Sequence, residues 1–385
     1  MNTKELDKTY VAGTYARFDA VINSGKGSTL YDEDGKEYID FGSGIAVNTF
    51  GASDDVWKQA IIRQLDKIQH TSNLYYNENG AILAEMLCKR TGMKKVFFSN
   101  SGAEANECAI KAARKYGTDI NPEKNVIITL ENSFHGRTIT TLSATGQEVF
   151  HKNFTPFTEG FLHVPANDCD ALFGAISDKT AAIMIETVQG EGGVNVLGEE
   201  FLAAIEKITT ENDILLIVDE VQTGNGRSGA LYSYMKLGLT PDIVSTAKGL
   251  AGGLPMGATL LGERVQDTLT AGTHGSTFGA NPVCAAAAIS NIERLDDEFL
   301  AEVTKKSEYL KAELTKINGV KSVSGMGLML GVETEKPAAD IVKECLKKGL
   351  LVLTAKTKVR LLPALNITNE ELEKGLKILK EVIEK

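Results

Sequence analysis

The 385-residue sequence lacks the features that would direct it to nucleic acid or a membrane. It has no long run of arginine or lysine, and its formal net charge of −10 argues against an anionic partner. No apolar stretch approaches the roughly 18 residues that a membrane-spanning helix needs. The opening residues 1–7 are polar and acidic, unlike a secretory signal. We therefore expect a globular protein of the cytoplasm.

The sequence is also poor in cysteine, and none of its five cysteines lies in a CxxC pair. They are odd in number and widely scattered, so neither a disulfide framework nor a zinc site is indicated. We expect reduced thiols and no bound metal. No internal repeat or low-complexity linker interrupts the chain.

What is present is an alternation of helical patterns and short apolar runs between residues 55 and 284. Continuous β-branched runs of this kind predict a largely parallel α/β sheet covered by helices on both faces. The runs cover residues 95–98, 126–129, 181–185, 214–218 and 243–246. Such sheets bind ligands at the carboxyl ends of their strands, where several of these runs lead into polar or glycine-rich residues.

The two ends of the chain have a different texture, which predicts a second, smaller α+β domain. Residues 29–41 are typical of a hairpin with Asp34-Gly35 at its turn. Helices and two strands follow the alternating region. We therefore expect a large domain over residues 46–284 and a small domain formed by residues 1–45 and 285–385.

One lysine stands at the end of the last apolar run. Lys248 follows Val244 and Thr246, which alternate as in a strand, and it precedes a glycine-rich turn. Burial would lower the pKa of its amine toward the neutral, nucleophilic form that Schiff-base enzymes use. A strand-end lysine can equally extend to solvent, so Lys248 by itself leaves both interpretations open.

Two other strand ends carry groups suited to a charged ligand. Ser101-Gly102-Ala103 lies between a strand and a helix, where free backbone N–H groups attract a phosphate, although Ser101 could simply cap the helix. Asp219 follows the run at 214–218. A buried carboxylate there needs a partner, such as a cationic ring nitrogen, an arginine or lysine, or a magnesium ion.

Residues 224–229 read GNGRSG and match the dinucleotide-binding fingerprint, but we discount the match. The fingerprint needs its first glycine directly after the strand. Here Asp219 and Glu220 intervene, and two carboxylates would repel a pyrophosphate.

Two arginines and two glutamates complete the charged candidates. Arg137 stands three residues after Phe134, and Arg360 lies among apolar residues. An arginine fork binds a carboxylate through two hydrogen bonds, as an amino-acid substrate requires. Glu186 and Glu191 could pair with such an arginine, and ordinary structural ion pairs would equally account for all four.

Together and in this order, these stretches resemble the pyridoxal-phosphate-dependent class III aminotransferases of fold type I. The resemblance runs from about Gly27 to the C-terminal end. It rests on SGIAV, NSGAEAN, SFHGRT, VQGEGG, DEVQTGNGR, TAKGLAGGLPMGA, HGSTFG and RLLPALNIT. It implies a mixed, mostly parallel seven-stranded sheet between helices, a homodimer, and pyridoxal 5′-phosphate as cofactor.

The resemblance also assigns roles to residues. Lys248 would bind the cofactor covalently and then act as acid and base, and Asp219 would pair with the protonated pyridine nitrogen. Phe134 would stack on the ring. The other cofactor contacts would come from Ser101, Gly102, Ala103, Gln222 and Thr277. Thr277 and Ser276 would reach the site of the other subunit, with Ser276 near the substrate.

For substrates, the resemblance implies two carboxylates bound in turn. Arg137 would bind the α-carboxylate of a long donor, N2-acetylornithine, as in bacterial arginine biosynthesis. Arg360 would bind that of 2-oxoglutarate or glutamate, and Glu191 would neutralise Arg360 while the donor is present. The alternatives are ornithine, succinylornithine, acetyl-lysine or 4-aminobutyrate as donor, or a catalytically silent cofactor-binding regulatory protein.

One segment and two single positions depart from the family's usual wording. Residues 51–55 replace a Gly-His-x-His-Pro segment, which predicts an altered surface or entrance. Thr187 stands where a proline is usual, and Ala280 where a glycine is common. None of these changes removes a functional group.

Overall fold

A computed structural model describes residues 1–385 and contains thirteen α-helices and seventeen strands. The strands are β1 (Ile22–Lys26), β2 (Thr29–Asp32), β3 (Glu37–Asp40), β4 (Lys95–Ser99), β5 (Val126–Leu130), β6 (Phe161–Val164), β7 (Thr180–Ile185), β8 (Val188–Gln189), β9 (Asn195–Val196), β10 (Leu215–Asp219), β11 (Ile243–Thr246), β12 (Gly257–Leu261), β13 (Val320–Met326), β14 (Met329–Thr334), β15 (Leu350–Leu351), β16 (Leu353–Ala355) and β17 (Lys358–Leu361). The helices are α1 (Thr3–Tyr10), α2 (Ser43–Ala46), α3 (Asp55–Leu65), α4 (Glu78–Thr91), α5 (Gly102–Ile120), α6 (Ile139–Ala144), α7 (Cys169–Ala175), α8 (Glu199–Glu211), α9 (Ser233–Leu237), α10 (Pro282–Ile292), α11 (Asp297–Leu314), α12 (Ala338–Lys347) and α13 (Asn369–Glu384). None of the helices is both long and apolar enough to span a bilayer.

The central sheet has seven strands in the order β4-β12-β11-β10-β7-β5-β6. Strands β11, β10, β7, β5 and β6 run parallel, and β12 is antiparallel to both of its neighbours. The predicted α/β fold with a mixed, mostly parallel seven-stranded sheet is therefore confirmed.

Apolar residues on both sides of the strands explain why this sheet is buried on both faces. Along β10, Leu216 and Val218 join a core that includes residues of α8. Leu215 and Ile217 alternate with them and join a second core that includes residues of α5. Because successive side chains of a strand point to opposite faces, one apolar run serves both cores.

Residues from the two ends of the chain meet in a smaller sheet. The predicted hairpin at 29–41 forms as β2 and β3, with Asp32 accepting backbone N–H bonds across the turn. Strand β3 then pairs in parallel with β15, so the order is β1-β2-β3-β15. A further four-stranded sheet has the order β13-β14-β17-β16. The domain boundaries stay a prediction, and α10, which crosses one of them, packs against α3 and α4.

Candidate active site

A cavity of about 430 Å³ lies at the carboxyl edge of the central sheet. Most of the predicted site residues line it: Ser101, Gly102, Ala103, Phe134, Arg137, Asp219, Gln222 and Lys248. Of the others, Arg360 and Glu191 lie directly against Gln222. Ser276 and Thr277 do not line the cavity of their own chain.

Lys248 lies in this cavity, at the end of β11. Its backbone has φ 44°, a left-handed conformation that is strained for a side-chain-bearing residue. The loop is held by Asn225, whose amide donates to the Ala247 carbonyl at 3.0 Å. Burial lowers the pKa of the Lys248 amine. The charge of Glu191 raises this pKa, and the charge of Arg360 lowers it. An amine that is neutral more often than usual is thus directed into the cavity.

Asp219 ends β10 and is only 4% exposed. Its Oδ2 accepts from Asn106 Nδ2 at 2.7 Å and lies 2.8 Å from His135 Nδ1, and its Oδ1 accepts the Val221 N–H at 3.0 Å. The partner within the chain is therefore a histidine. Burial alone would lower the pKa of His135, but the hydrogen bond to Asp219 and its charge outweigh burial and raise the pKa.

Asn106 and His135 were missed by sequence reasoning. Both belong to stretches that carried the family resemblance, NSGAEAN and SFHGRT, and the histidine directly follows Phe134. The only signal was that Asp219, a buried acid, has no basic residue beside it in the sequence. Its partner therefore had to come from a distant part of the chain.

The start of α5 forms one wall of the cavity. Ser101 is the N-cap, and its hydroxyl oxygen accepts the Glu104 N–H at 3.2 Å. The expected cap is thus present, and the N–H groups of Gly102 and Ala103 remain free for a ligand. Gly102 has no room for a side chain, because a Cβ there would lie 2.7 Å from Val221 Cγ1.

Arg137 stands at the outer side of the cavity, above two aromatic rings. Its guanidinium carbon lies 4.0 Å from the centroid of the Phe150 ring and 5.3 Å from that of Phe134. It is exposed, and its guanidinium group contacts these two rings rather than a carboxylate. Phe150, which sequence reasoning did not single out, supports the arginine from below and leaves its hydrogen-bond donors available.

Arg360 and Glu191 form a two-pronged ion pair beside the cavity. Arg360 Nη1 donates to Glu191 Oε1 at 2.6 Å, and Nη2 donates to Oε2 at 3.2 Å. Gln222 contacts both partners, accepting from Arg360 at 3.0 Å and donating to Glu191 at 3.3 Å. Burial raises the pKa of the Glu191 carboxyl, but the charge and hydrogen bonds of Arg360 outweigh burial, so the pKa is lowered.

Glu186 pairs with neither arginine. It follows β7, lines the cavity and is 5% exposed. Its two oxygens accept backbone N–H groups, from Phe134 at 3.0 Å and from Gly190 at 3.3 Å. Burial raises the pKa of Glu186 to about 7.

Ser276 and Thr277 lie outside the cavity. The Ser276 hydroxyl accepts from Asn100 Nδ2 at 3.2 Å, and Thr277 is exposed. The discounted fingerprint at 224–229 forms turns and does not begin a helix. Glu220 accepts from the Thr223 and Ser233 hydroxyls, on the side of β10 away from the cavity.

The three departures from the family wording have local structural roles. In the 51–55 segment, Asp54 caps α3 and pairs with Arg294 at 2.9 Å. This segment lines a small pocket that shares Gly253 with the main cavity. Thr187 contacts the Ser233 hydroxyl at 2.5 Å, and Ala280 adopts φ 54°, a conformation that favours glycine.

Comparison with known proteins gives matches over nearly the whole chain. The family model "Aminotransferase class-III" matches residues 10–383. An acetylornithine aminotransferase of Haemophilus ducreyi is 52% identical over 384 residues, covering 99% of this chain and 98% of that protein.

Two solved structures share the fold. The N-acetylornithine aminotransferase of Stenotrophomonas maltophilia has a TM-score of 0.86 and 36% identity, covering 98% of both chains. The ornithine aminotransferase of Toxoplasma gondii has a TM-score of 0.94 and 32% identity, covering 100% of this chain and 95% of that one.

Proposed function

Since the chain belongs to the class III aminotransferase family, we propose that it transfers the terminal amino group of N2-acetylornithine to 2-oxoglutarate. The products are N-acetylglutamate 5-semialdehyde and glutamate, and the step belongs to arginine biosynthesis in the cytoplasm. One observation carries the proposal. A single cavity holds an unpaired lysine amine, a buried aspartate and an arginine with free donors, and a second arginine beside it is neutralised by a glutamate.

The groups around the cavity fit pyridoxal 5′-phosphate. Asp219 keeps capacity on Oδ1 for the pyridine nitrogen, since its three protein donors leave lone pairs unused. The first turn of α5, at Gly102 and Ala103, would hold the phosphate with Ser101 nearby. Phe134 would lie on the ring. When bound, the cofactor supplies an electron sink for the negative charge that forms at the reacting carbon.

Residues of the chain would then transfer a proton and orient the cofactor. The lowered pKa of the Lys248 amine suits it both to bind the cofactor and to take up and return the proton at the reacting carbon. Gln222 has one amide hydrogen beyond its bond to Glu191, and that hydrogen can be donated to the phenolic oxygen.

Arg137 would hold the α-carboxylate of the donor at the far end of the cavity, with Phe150 fixing the guanidinium plane. 4-Aminobutyrate also has a carboxylate, but it lies one carbon nearer to the reacting amine, so these donors differ in length rather than in having a group for Arg137 to bind. Asp219 and Glu186, the two carboxyls that line the cavity, already accept hydrogen bonds from the protein. Asp219 would be occupied by the pyridine nitrogen and Glu186 already holds two backbone N–H groups, so neither carboxyl is assigned to the α-ammonium of ornithine, which favours an acylated donor.

The fold alone does not decide between these donors, since structures of both an ornithine and an N-acetylornithine aminotransferase match it. Arg360 would bind 2-oxoglutarate or glutamate after Glu191 moves away. The glutamate that neutralises Arg360 in the first half-reaction lets one site accept two substrates of different length.

The homodimer is part of the proposal. Ser276 and Thr277 lie outside the cavity of their own chain, so their proposed contacts need a second copy. A run of exposed apolar side chains could bury against that copy: Leu74, Tyr75, Tyr76 and Phe278. The cytoplasmic location is supported by five cysteines that form no disulfide.

A donor panel with 2-oxoglutarate tests the proposal by the rate of glutamate formation. We expect kcat/KM for N2-acetylornithine to exceed that for ornithine and 4-aminobutyrate by at least about tenfold, or about 1.4 kcal/mol. Lys248→Ala should abolish both turnover and the yellow absorbance of the bound cofactor. Ornithine reacting faster than acetylornithine would overturn the donor assignment, and cofactor binding without turnover would favour a silent regulatory protein.

A further inference from the structure

Glu186 joins two loops that perform different tasks in the proposed reaction. Its Oε2 accepts the Phe134 N–H at 3.0 Å, in the loop that carries Phe134 and Arg137. Its Oε1 accepts the Gly190 N–H at 3.3 Å, directly before Glu191. One carboxylate therefore fixes the backbone of the cofactor-ring residue and that of the residue that neutralises Arg360.

The position of Glu186 is set by the central sheet. Val218 of β10 is in register with Ile185 of β7, so the next residues, Asp219 and Glu186, stand side by side at the carboxyl edge. A buried carboxylate in that place costs free energy unless it is hydrogen-bonded. No side chain donates to Glu186, and its partners are the two backbone N–H groups.

The loop that carries Glu191 has little freedom to shift as a whole. A Cβ at Gly190 would lie 2.5 Å from Gln222 Oε1, and a Cβ at Gly192 would lie 2.6 Å from the Asn132 carbonyl oxygen. Gln189 Nε2 also donates to the Glu131 carbonyl at 2.8 Å, a second link between the same two loops. With the backbone held in this way, the Glu191 side chain can move while its attachment point stays fixed.

We infer that Glu186 is a positioning residue that sets the balance between the two half-reactions, by holding the Phe134 loop and the Glu191 loop on its two oxygens. The inference rests on the proposed function. Loss of one of its two accepted hydrogen bonds loosens one loop, which then keeps only its other contacts, such as the bond from Gln189 to the Glu131 carbonyl. If the Glu191 loop loosens, Arg360 is neutralised less completely, and glutamate competes better with the long donor.

The test is Glu186→Gln, which keeps the side-chain shape but leaves one acceptor oxygen for two N–H groups. Two quantities are measured. The first is amide hydrogen exchange of peptides spanning 132–138 and 188–193 in the protein without substrates. The second is the ratio of kcat/KM for glutamate to kcat/KM for N2-acetylornithine, from separate half-reactions. We expect exchange to accelerate in at least one loop and the ratio to rise about threefold to tenfold.

Glu220→Gln is the matched control. Glu220 is also a fully buried glutamate at a strand end, but it bonds to Thr223, Ser233 and the Tyr234 N–H outside the cavity. This variant should leave the exchange of both loops and the ratio as in the wild type.

The inference is overturned if Glu186→Gln leaves the ratio of the two half-reactions at the Glu220→Gln value, whatever the exchange shows, or if the ratio rises while exchange in both loops stays unchanged. If Glu186→Gln does not fold, Glu186→Asp, which keeps the charge and shortens its reach by one methylene, serves the same comparison. A wild-type protein that forms no glutamate would refute the proposed function, whereas the exchange data would still decide whether Glu186 holds the two loops.

Discussion

Replacing Glu191 with glutamine tests how strongly the ion pair with Glu191 opposes substrate binding to Arg360. The pair is joined by hydrogen bonds of 2.6 and 3.2 Å, with the Arg360 side chain 4% exposed and that of Glu191 29% exposed. A hydrogen bond between charged groups contributes about 1.5–3 kcal/mol, and the partial exposure of Glu191 reduces this to about 1–2 kcal/mol. This free energy opposes binding of 2-oxoglutarate or glutamate, because the pair must open first. Glu191→Gln should therefore raise kcat/KM for glutamate about 5- to 30-fold.

Each half-reaction is measured alone by stopped-flow absorbance of the bound cofactor, with glutamate or with N2-acetylornithine as the only substrate. The acetylornithine half-reaction should not gain, since it proceeds with the pair closed. Glu263→Gln, which removes an exposed ion pair with Lys94, is the control for a change of charge. A ratio of the two rates within about twofold of wild type would show that Arg360 needs no release, and the two-state ion pair would be wrong.

Two other perturbations test separate parts of the cavity. Gly102→Ala should weaken cofactor binding about tenfold, because the added Cβ would lie 2.7 Å from Val221 Cγ1, and adding Val221→Ala should restore most of the affinity measured by cofactor titration. Burial lowers the pKa of His135, but Asp219 outweighs burial and raises it, which implies a stabilising ion pair between the two residues. This stabilisation is fully present below about pH 6.5, the pKa of an unfolded histidine, and is lost as pH rises through the higher pKa of the folded state. The difference in unfolding free energy between wild type and His135→Gln, from urea titrations at about pH 6 and pH 9, should thus be larger at the lower pH, and a difference that grows with pH would contradict the pair.

The sequence predicted the fold best where a buried strand consists mainly of large apolar residues, since β12 is equally buried but begins with Gly257 and Ala258. Strands β7 and β10 are buried at every residue, and their unbroken apolar runs predicted them correctly. Strands β6 and β12 went unrecognised from the pattern. The first carries His163 at the edge of the sheet, and the second begins with Gly257. Short strands of mixed composition depend on their neighbours for pairing, and a local pattern contains no information about those neighbours.

For the site, the sequence indicated the groups but not most of their partners. Asp219 was recognised as a buried acid in need of a partner, yet Asn106 and His135 stand 113 and 84 positions earlier in the chain. The order of the parallel strands brings them together, and no spacing along the chain encodes that order. The same holds for Glu186, whose partners are backbone N–H groups with no sequence signature.

The alternation of side chains along β10 explains why two neighbouring carboxylates do not interfere with each other. Asp219 faces the cavity, whereas Glu220 faces the opposite side and accepts bonds from Thr223, Ser233 and the Tyr234 N–H. A slip of one residue in the pairing of β10 would exchange them. Glu220 would then face Asn106 and His135 with a side chain one methylene longer than that of Asp219, and Asp219 would face Thr223 and Ser233 with a side chain one methylene shorter than that of Glu220. Because both faces of β10 are packed with apolar side chains, such a slip would also disrupt both cores. The packing that stabilises the sheet therefore also selects which carboxylate is available for chemistry.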